Sequence, residues 1–308
     1  MKRFKNILFV AQNISDKSSS LKIAAELAGK NKAGLTVVEV IKALSTYMNI
    51  LPASCNSSDL EEQIVQDHSE RLDHVIAPYL KRGINISRKI LMGTPFLEII
   101  SQVIKKEHDL VVITPEGHGG FSEMLFGTTT MHLMRKCPCP VWAIKPGQPE
   151  RFSSILAAVD FDPSNSENDA LNARIMEMAL SLARMHKSEI HVIHALHFAI
   201  KGLRMPRIAV HEISSEMQKN HEKWFHELVK KHIPKAARDQ IHFLEGEAVS
   251  VIPKFVKERR IDLIVMGTIA RTGIPGLFIG STAERLLHRV TCSVLAVKPP
   301  GYLSPLID

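Results

Sequence analysis

The chain of 308 residues repeats itself. His108-Asp109-Leu110-Val111-Val112-Ile113-Thr114 aligns without a gap on Ile261-Asp262-Leu263-Ile264-Val265-Met266-Gly267, at an offset of 153 (262 − 109). The same offset pairs Gly93 with Gly246, Gly127 with Gly280, Cys139 with Cys292 and Lys145 with Lys298. An ungapped register of that length limits the fold more than any composition does, because whatever one half folds into, the other must fold into as well. The length suits two domains of about 100–200 residues each. They are placed at 1–147 and 151–308, with Lys145-Pro146-Gly147-Gln148-Pro149 read as an extended linker.

Each half alternates apolar runs of strand length with helical periodicity. In the first, Asn6 to Ala11 reads as a strand, and Leu21, Ala24, Ala25 and Ala28 as one face of a helix. Leu35 to Val40 is the next strand. A long loop leads to a helix from about Leu60 to Leu80, then come a strand at Ile84 to Ile90, a helix opened by Gly93-Thr94-Pro95, and the strand at Leu110. The second half repeats the order. Ile155 to Val159 is followed by a helix facing inward through Leu171, Ile175, Met178, Ala179 and Leu182, a strand at Ile190 to Ala195, a helix around Met217 to His232, and a strand at Ile241 to Leu244. Strands separated by helices make parallel βαβ units, so the fold class is α/β with two tandem doubly wound domains and helices on both faces. Ligands of such sheets sit beyond the carboxyl ends of the strands, at the switch point.

One stretch of the second half carries more than fold. Ile264 to Met266 is a short β-branched and apolar run that ends at Gly267, and Gly280-Ser281-Thr282 opens a run with Ala283, Leu286, Leu287 and Val290 at helical spacing. Ser281 or Thr282 is a candidate N-cap, with Glu284 in the first turn. Strand, glycine loop and helix start make a cradle for an anion, since unpaired N–H groups favour phosphate and glycine permits close approach. The plainer reading is a connection whose glycines merely turn the chain.

Gly267, two residues, Ala270, nine residues, then Gly280-Ser281 resembles the G-x2-G-x9-G-[ST] motif of the universal stress protein family, with alanine at the second glycine. Arg271-Thr272-Gly273, Ala283-Glu284-Arg285 and the final strand Cys292 to Lys298 are similar to that family too, and the likeness extends over both halves. It implies a tandem-domain member, with a five-stranded parallel sheet of order 3-2-1-4-5 in each domain and ATP or a related adenine nucleotide across the strand ends. The site it implies comprises Asp160, Ala195, Met266, Gly267, Ala270, Arg271, Gly280, Ser281 and Thr282. Asp160, with Asp162 as the near alternative, stands where family members place a carboxylate for adenine. Arg271 either reaches a phosphate or is a surface arginine. The corresponding text of the first half is Thr114, Gly117, Gly127 and Thr128, with Ala11 and Gln12 in place of the carboxylate. The nucleotide is therefore expected in the second half.

Other chemistries find less support. A net charge of +7 permits nucleic acid, yet Lys and Arg alternate with Glu along helical faces, as in Glu216 to Lys231, so no dedicated nucleic-acid site is expected. No apolar run reaches the roughly 18 residues of a membrane span, and a cytoplasmic protein is expected. Cys137-Pro138-Cys139 has no second pair to complete a zinc site. His191, His194 and His197 sit on one strand, where His194 points away from the other two. His118-Gly119-Gly120 lacks an accompanying G-x-S-x-G turn, and there is neither a Walker loop nor a G-x-G-x-x-G after the first strand. Three functions compete: a nucleotide-binding regulatory or stress-resistance protein with little chemistry, a slow ATP hydrolase, and an interaction scaffold with degenerate sites. The two halves are expected to pair within the chain, and a homodimer is left open.

Overall fold

The computed structural model describes residues 4–12, 18–42, 57–115, 126–162, 168–196, 207–235, 240–268 and 279–306. In chain order the first half contains β1 (Asn6–Val10), α1 (Ser19–Asn31), β2 (Gly34–Ile41), α2 (Ser57–Leu80), β3 (Ile86–Met92), α3 (Pro95–Lys106), β4 (Leu110–Ile113), α4 (Thr128–Lys136) and β5 (Val141–Ala143). The second contains β6 (Ser154–Ala158), α5 (Asp169–His186), β7 (Glu189–Leu196), α6 (Arg207–His232), β8 (Ile241–Glu245), α7 (Ala248–Glu258), β9 (Leu263–Gly267), α8 (Ser281–Leu287) and β10 (Ser293–Val297). Each half therefore supplies five strands, ordered 3-2-1-4-5 and 8-7-6-9-10.

The sheet is larger than the two five-stranded sheets that the sequence suggests. All ten strands form one sheet of order β3-β2-β1-β4-β5-β10-β9-β6-β7-β8. Pairing is parallel within each half, and the halves join through an antiparallel β5–β10 ladder that sets Ala143 opposite Val294 and Val141 opposite Ala296. Antiparallel joining keeps the same sheet faces aligned across the junction. Ile7, Phe9, Ile155 and Ala157 accordingly share one apolar layer with α1, α2, α5 and α6, while Leu8, Val10, Leu156 and Ile264 share the other with α3, α4, α7 and α8. Every residue of β5 and β10 is buried, which each half alone would leave as an unpaired strand edge.

The junction is a turn, not an extended linker. Gln148 N–H donates to Lys145 O at 3.1 Å, and Gly147 adopts φ +74°, the left-handed value that a Pro-Gly turn requires of its third residue. Helix and strand limits otherwise move by a few residues: α2 starts at Ser57, β3 runs two residues later, and α8 ends at Leu287, short of Val290.

Candidate functional site

In the second half β6 lies between β9 and β7, and the chain leaves β6 towards α5 and β9 towards α8. This is the switch point, where the helices diverge and the carboxyl ends of the strands open outward. A cavity of about 620 Å³ occupies it. Asp160, Ala195, Met266, Gly267, Gly280, Ser281 and Thr282 all line this cavity, so seven positions singled out in the sequence converge from four separate segments. Ala270 and Arg271 lie outside the described residues. Asp162 is described but is not part of the lining.

Asp160 is held by its backbone. Asn172, on α5 and only 1% exposed, accepts from Asp160 N–H through Oδ1 and donates to Asp160 O through Nδ2, each at 3.0 Å. This reciprocal pair fixes the chain just where β6 ends, and Asn172 itself lines the cavity. From the neighbouring strand β7, the buried His194 receives the N–H of Phe161 at Nδ1, 3.3 Å, and stacks on His221 of α6 with 5.2 Å between centroids. Burial lowers the His194 pKa to about 4, so its ring is neutral at pH 7.

The glycines serve ends other than backbone strain. A Cβ on Gly267 would stand 2.8 Å from Leu171 Cδ2, so glycine here makes room for the α5 side chain that forms the cavity wall. Gly280 has φ −61° and ψ 135°, open to any residue. It is also the N-cap of α8, so neither Ser281 nor Thr282 takes that position; both belong to the first helical turn and face the cavity. The true left-handed glycine of this region is Gly246, φ +132°, between β8 and α7, matched by Gly93 at φ +140° in the first half.

Glu247 and Asn172 also line the cavity and were not among the residues read from sequence, while Arg285, read there only as part of the family likeness, lines it too. Glu247 had a usable signal, since it follows Gly246, itself matched to Gly93 by the repeat. Asn172 had none, because its partner is a main-chain pair.

The first half carries different side chains at the same place. Thr114, which replaces Gly267, donates its hydroxyl to Ser20 Oγ at 2.6 Å, and Ser20 contacts Ser18 Oγ at 2.8 Å. Gly127 is the N-cap of α4, with φ −57°, and Thr128 is its exposed first residue. Gly117 lies outside the described residues. Gln12, at the position of Asp160, buries an Oε1 that accepts no hydrogen bond among the described residues.

The histidines divide as strand alternation requires. His191 contacts His242 of the neighbouring β8 at 3.1 Å on the α7 side, whereas His194 meets His221 of α6 on the other; His197 lies outside the described residues, as do His118, Gly119 and Gly120. Among the described residues, no group of three or more His, Cys, Asp or Glu side chains is arranged for a metal. Cys137 and Cys139 are buried with sulfurs 3.6 Å apart, and the hydrogen bond to Cys137 together with burial raises the Cys139 pKa. Burial raises Cys292 to about 12. Cys139 and Cys292 are therefore protonated packing thiols.

The universal stress protein family model matches residues 3–145 and again 151–298. The chain belongs to the universal stress protein family. It is a tandem universal stress protein, similar over nearly its whole length to universal stress protein E of Photorhabdus laumondii, 27% identical with 99% of this chain and 98% of the relative covered. The universal stress protein E homolog of Haemophilus influenzae is 26% identical, with 96% and 98% covered. Among solved structures, a functionally unknown protein from Pseudomonas aeruginosa PAO1 superposes with TM-score 0.73 at 22% identity, covering 97% of this chain and 94% of that one. A universal stress protein from Archaeoglobus fulgidus gives 0.57 at 18% identity, covering 95% and 98%. Both likenesses concern the fold. No helix among the described residues of this universal stress protein is long and apolar enough to cross a membrane.

Proposed function

We propose that the second half of this universal stress protein binds an adenine nucleotide, with ATP as the leading candidate, and that the protein acts as a nucleotide-responsive regulator in the cytoplasm under stress. The observation that carries this reading is the cavity of about 620 Å³, whose lining includes both Asp160 and the Gly280–Thr282 turn. Its size falls within the roughly 300–1,000 Å³ of small-molecule sites, and its mixed apolar and polar wall suits a base and a ribose. Asp160, fixed by Asn172, is suited to accept a hydrogen bond from an exocyclic amine, which adenine has and which guanine's O6 edge cannot supply. Gly280, Ser281 and Thr282 then meet the phosphates, with Arg285 on the same wall.

The first half is read as having lost this site. Thr114 and Ser20 hydrogen-bond each other where the second half packs Leu171 and Ile175 over Gly267, and Gln12 offers an amide where it keeps a carboxylate. Slow turnover follows from the same inventory. Asp160 is assigned to the base end and Glu247 caps α7, so among the described lining residues no carboxylate is assigned to the terminal phosphate, and positioning without a base does not activate water.

Equilibrium binding of ATP and GTP to the whole chain tests the reading. Preference for ATP that shrinks in Asp160→Ala, while triphosphate affinity partly survives, is the expected result. Equal binding of the two nucleotides by the parent would reject the base assignment, and hydrolysis at rates of order 1 s⁻¹ would move the protein among enzymes.

A further inference from the structure

Lys298 follows β10 directly and is 1% exposed. Its ammonium has three donors, and each finds an acceptor: Met134 O at 2.7 Å, Thr268 Oγ1 at 2.9 Å and Arg135 O at 3.2 Å. Met134 and Arg135 close α4 of the first half, so two acceptors are carbonyls that a helix end leaves unpaired, at the negative pole of its dipole. Thr268 belongs to the other side. It is the neighbour of Gly267, its hydroxyl donates to Met134 O at 3.1 Å, and its carbonyl accepts the N–H of Gly280 at 3.1 Å.

A continuous set of hydrogen bonds thus runs from the end of α4 through Lys298 and Thr268 to Gly280, which lines the cavity. A second tie reaches the same turn. Arg135 bonds Glu284 Oε1 at 2.6 Å, and the Glu284 N–H donates to Gly280 O at 2.9 Å. Tyr302 adds a hydroxyl to Arg135 O at 3.0 Å, with its ring 4.8 Å from the ammonium. Among the described residues the arrangement occurs once. Lys145, the repeat partner of Lys298, is half-buried, and its contact across the junction is a backbone N–H to Ser293 Oγ at 3.0 Å.

We propose that Lys298 is a positioning residue for the phosphate end of the second-half cavity, using the last turn of α4 in the first half as its anchor. The proposal rests on the nucleotide reading of that cavity. It gives the duplication a role, because the turn at Gly280 takes its position from a helix that an isolated second half would not possess. Holding a cation there is costly, as burial pulls the Lys298 pKa down to about 7, and an apolar residue of the same length would avoid that cost. What the apolar residue would lose is the fixed distance between α4 and Thr268.

The experiment is a pair of titrations, ATP and adenosine, into the whole chain as parent, Lys298→Met and Thr268→Val. Both variants should weaken ATP about tenfold while adenosine stays within about twofold, since adenosine does not reach the Gly280 turn. Unchanged ATP affinity in both variants overturns the proposal. Parallel weakening of ATP and adenosine overturns it too, because general structural support would act on both ligands. If Lys298→Met does not fold, Thr268→Val decides alone, as it keeps side-chain shape and the lysine. A parent that binds neither ligand overturns the cavity reading and this proposal together, whereas a parent that binds both confines any failure to Lys298.

Discussion

Ser20 in the first half and Ile175 in the second stand at the same distance from the left-handed lysine that ends their helices (32 − 20 and 187 − 175), yet one hydrogen-bonds and the other packs. Ser20 meets the hydroxyl of Thr114; Ile175, with Leu171, closes over Gly267. The same contrast continues along the strand ends. Glu39, ion-paired with Arg71 of α2, takes the place that buried His194 takes in the second half (offset 155, from 194 − 39). The frame itself is shared, down to the left-handed Gly93 and Gly246 that turn the chain into α3 and α7. Duplication has thus conserved the backbone that positions a site and changed the side chains that fill it, which is why ligand binding is assigned to one half only.

The largest effect should come from the pair Gly280→Val and Gly127→Val. Gly280 lines the cavity, and a branched side chain there should weaken ATP at least about 100-fold, or roughly 2.7 kcal/mol, whereas Gly127→Val should leave affinity unchanged. Fluorescence titration of both variants checks this, and equal losses would erase the distinction between the halves. Since the Gly280 backbone is unstrained, the loss is attributed to space alone.

Asn172→Ala comes next. It leaves the N–H and C=O of Asp160 without their partners and should cost about 1–3 kcal/mol of stability, read from denaturant unfolding, with weaker ATP binding in addition. A neutral result would show that Asp160 is placed by other contacts.

Acid should discriminate the halves through His194. Its folded pKa of about 4 lies below the usual 6.5, so the unfolded chain takes up a proton that the folded chain does not. Stability from this residue is complete above pH 6.5 and is lost as pH falls towards 4, at up to about 1.4 kcal/mol per pH unit. His194→Asn should flatten that part of the stability profile. An unchanged slope would assign it to His186 and His242, which burial also lowers to about 4.

Much of this was legible in the sequence because repetition doubles every signal. The offset of 153 matches β4 with β9, apolar runs mark the earlier strands of each half, and the glycine spacing picks out Gly267 and Gly280, which line the cavity. The joined sheet was not legible. Main-chain pairing of β5 with β10 has no residue code, and the apolar Val141-Trp142-Ala143 reads equally well as a strand covered by helices. Asn172 and Lys298 escaped for a related reason: their partners are carbonyls and N–H groups, and those of Lys298 on α4 lie more than 160 residues away in sequence. The tight fit of Leu171 against Gly267 was likewise not legible, since the two are 96 residues apart (267 − 171).

The smallest effect should be that of Ser281→Ala, which removes one hydroxyl contact and leaves the N–H groups of the turn, for a loss of about 0.5–1.5 kcal/mol in ATP binding. A loss as large as that of Gly280→Val would mean that the hydroxyl, and not the shape of the turn, holds the ligand.

The most direct test of an unequal pair of halves is the stoichiometry of ATP binding to the whole chain, measured by calorimetry under conditions where sites are saturated. One ATP per chain is predicted, displaced entirely from the second-half cavity by Gly280→Val. Two ATP per chain with similar affinity, or one that survives Gly280→Val and vanishes in Gly127→Val, would contradict the account.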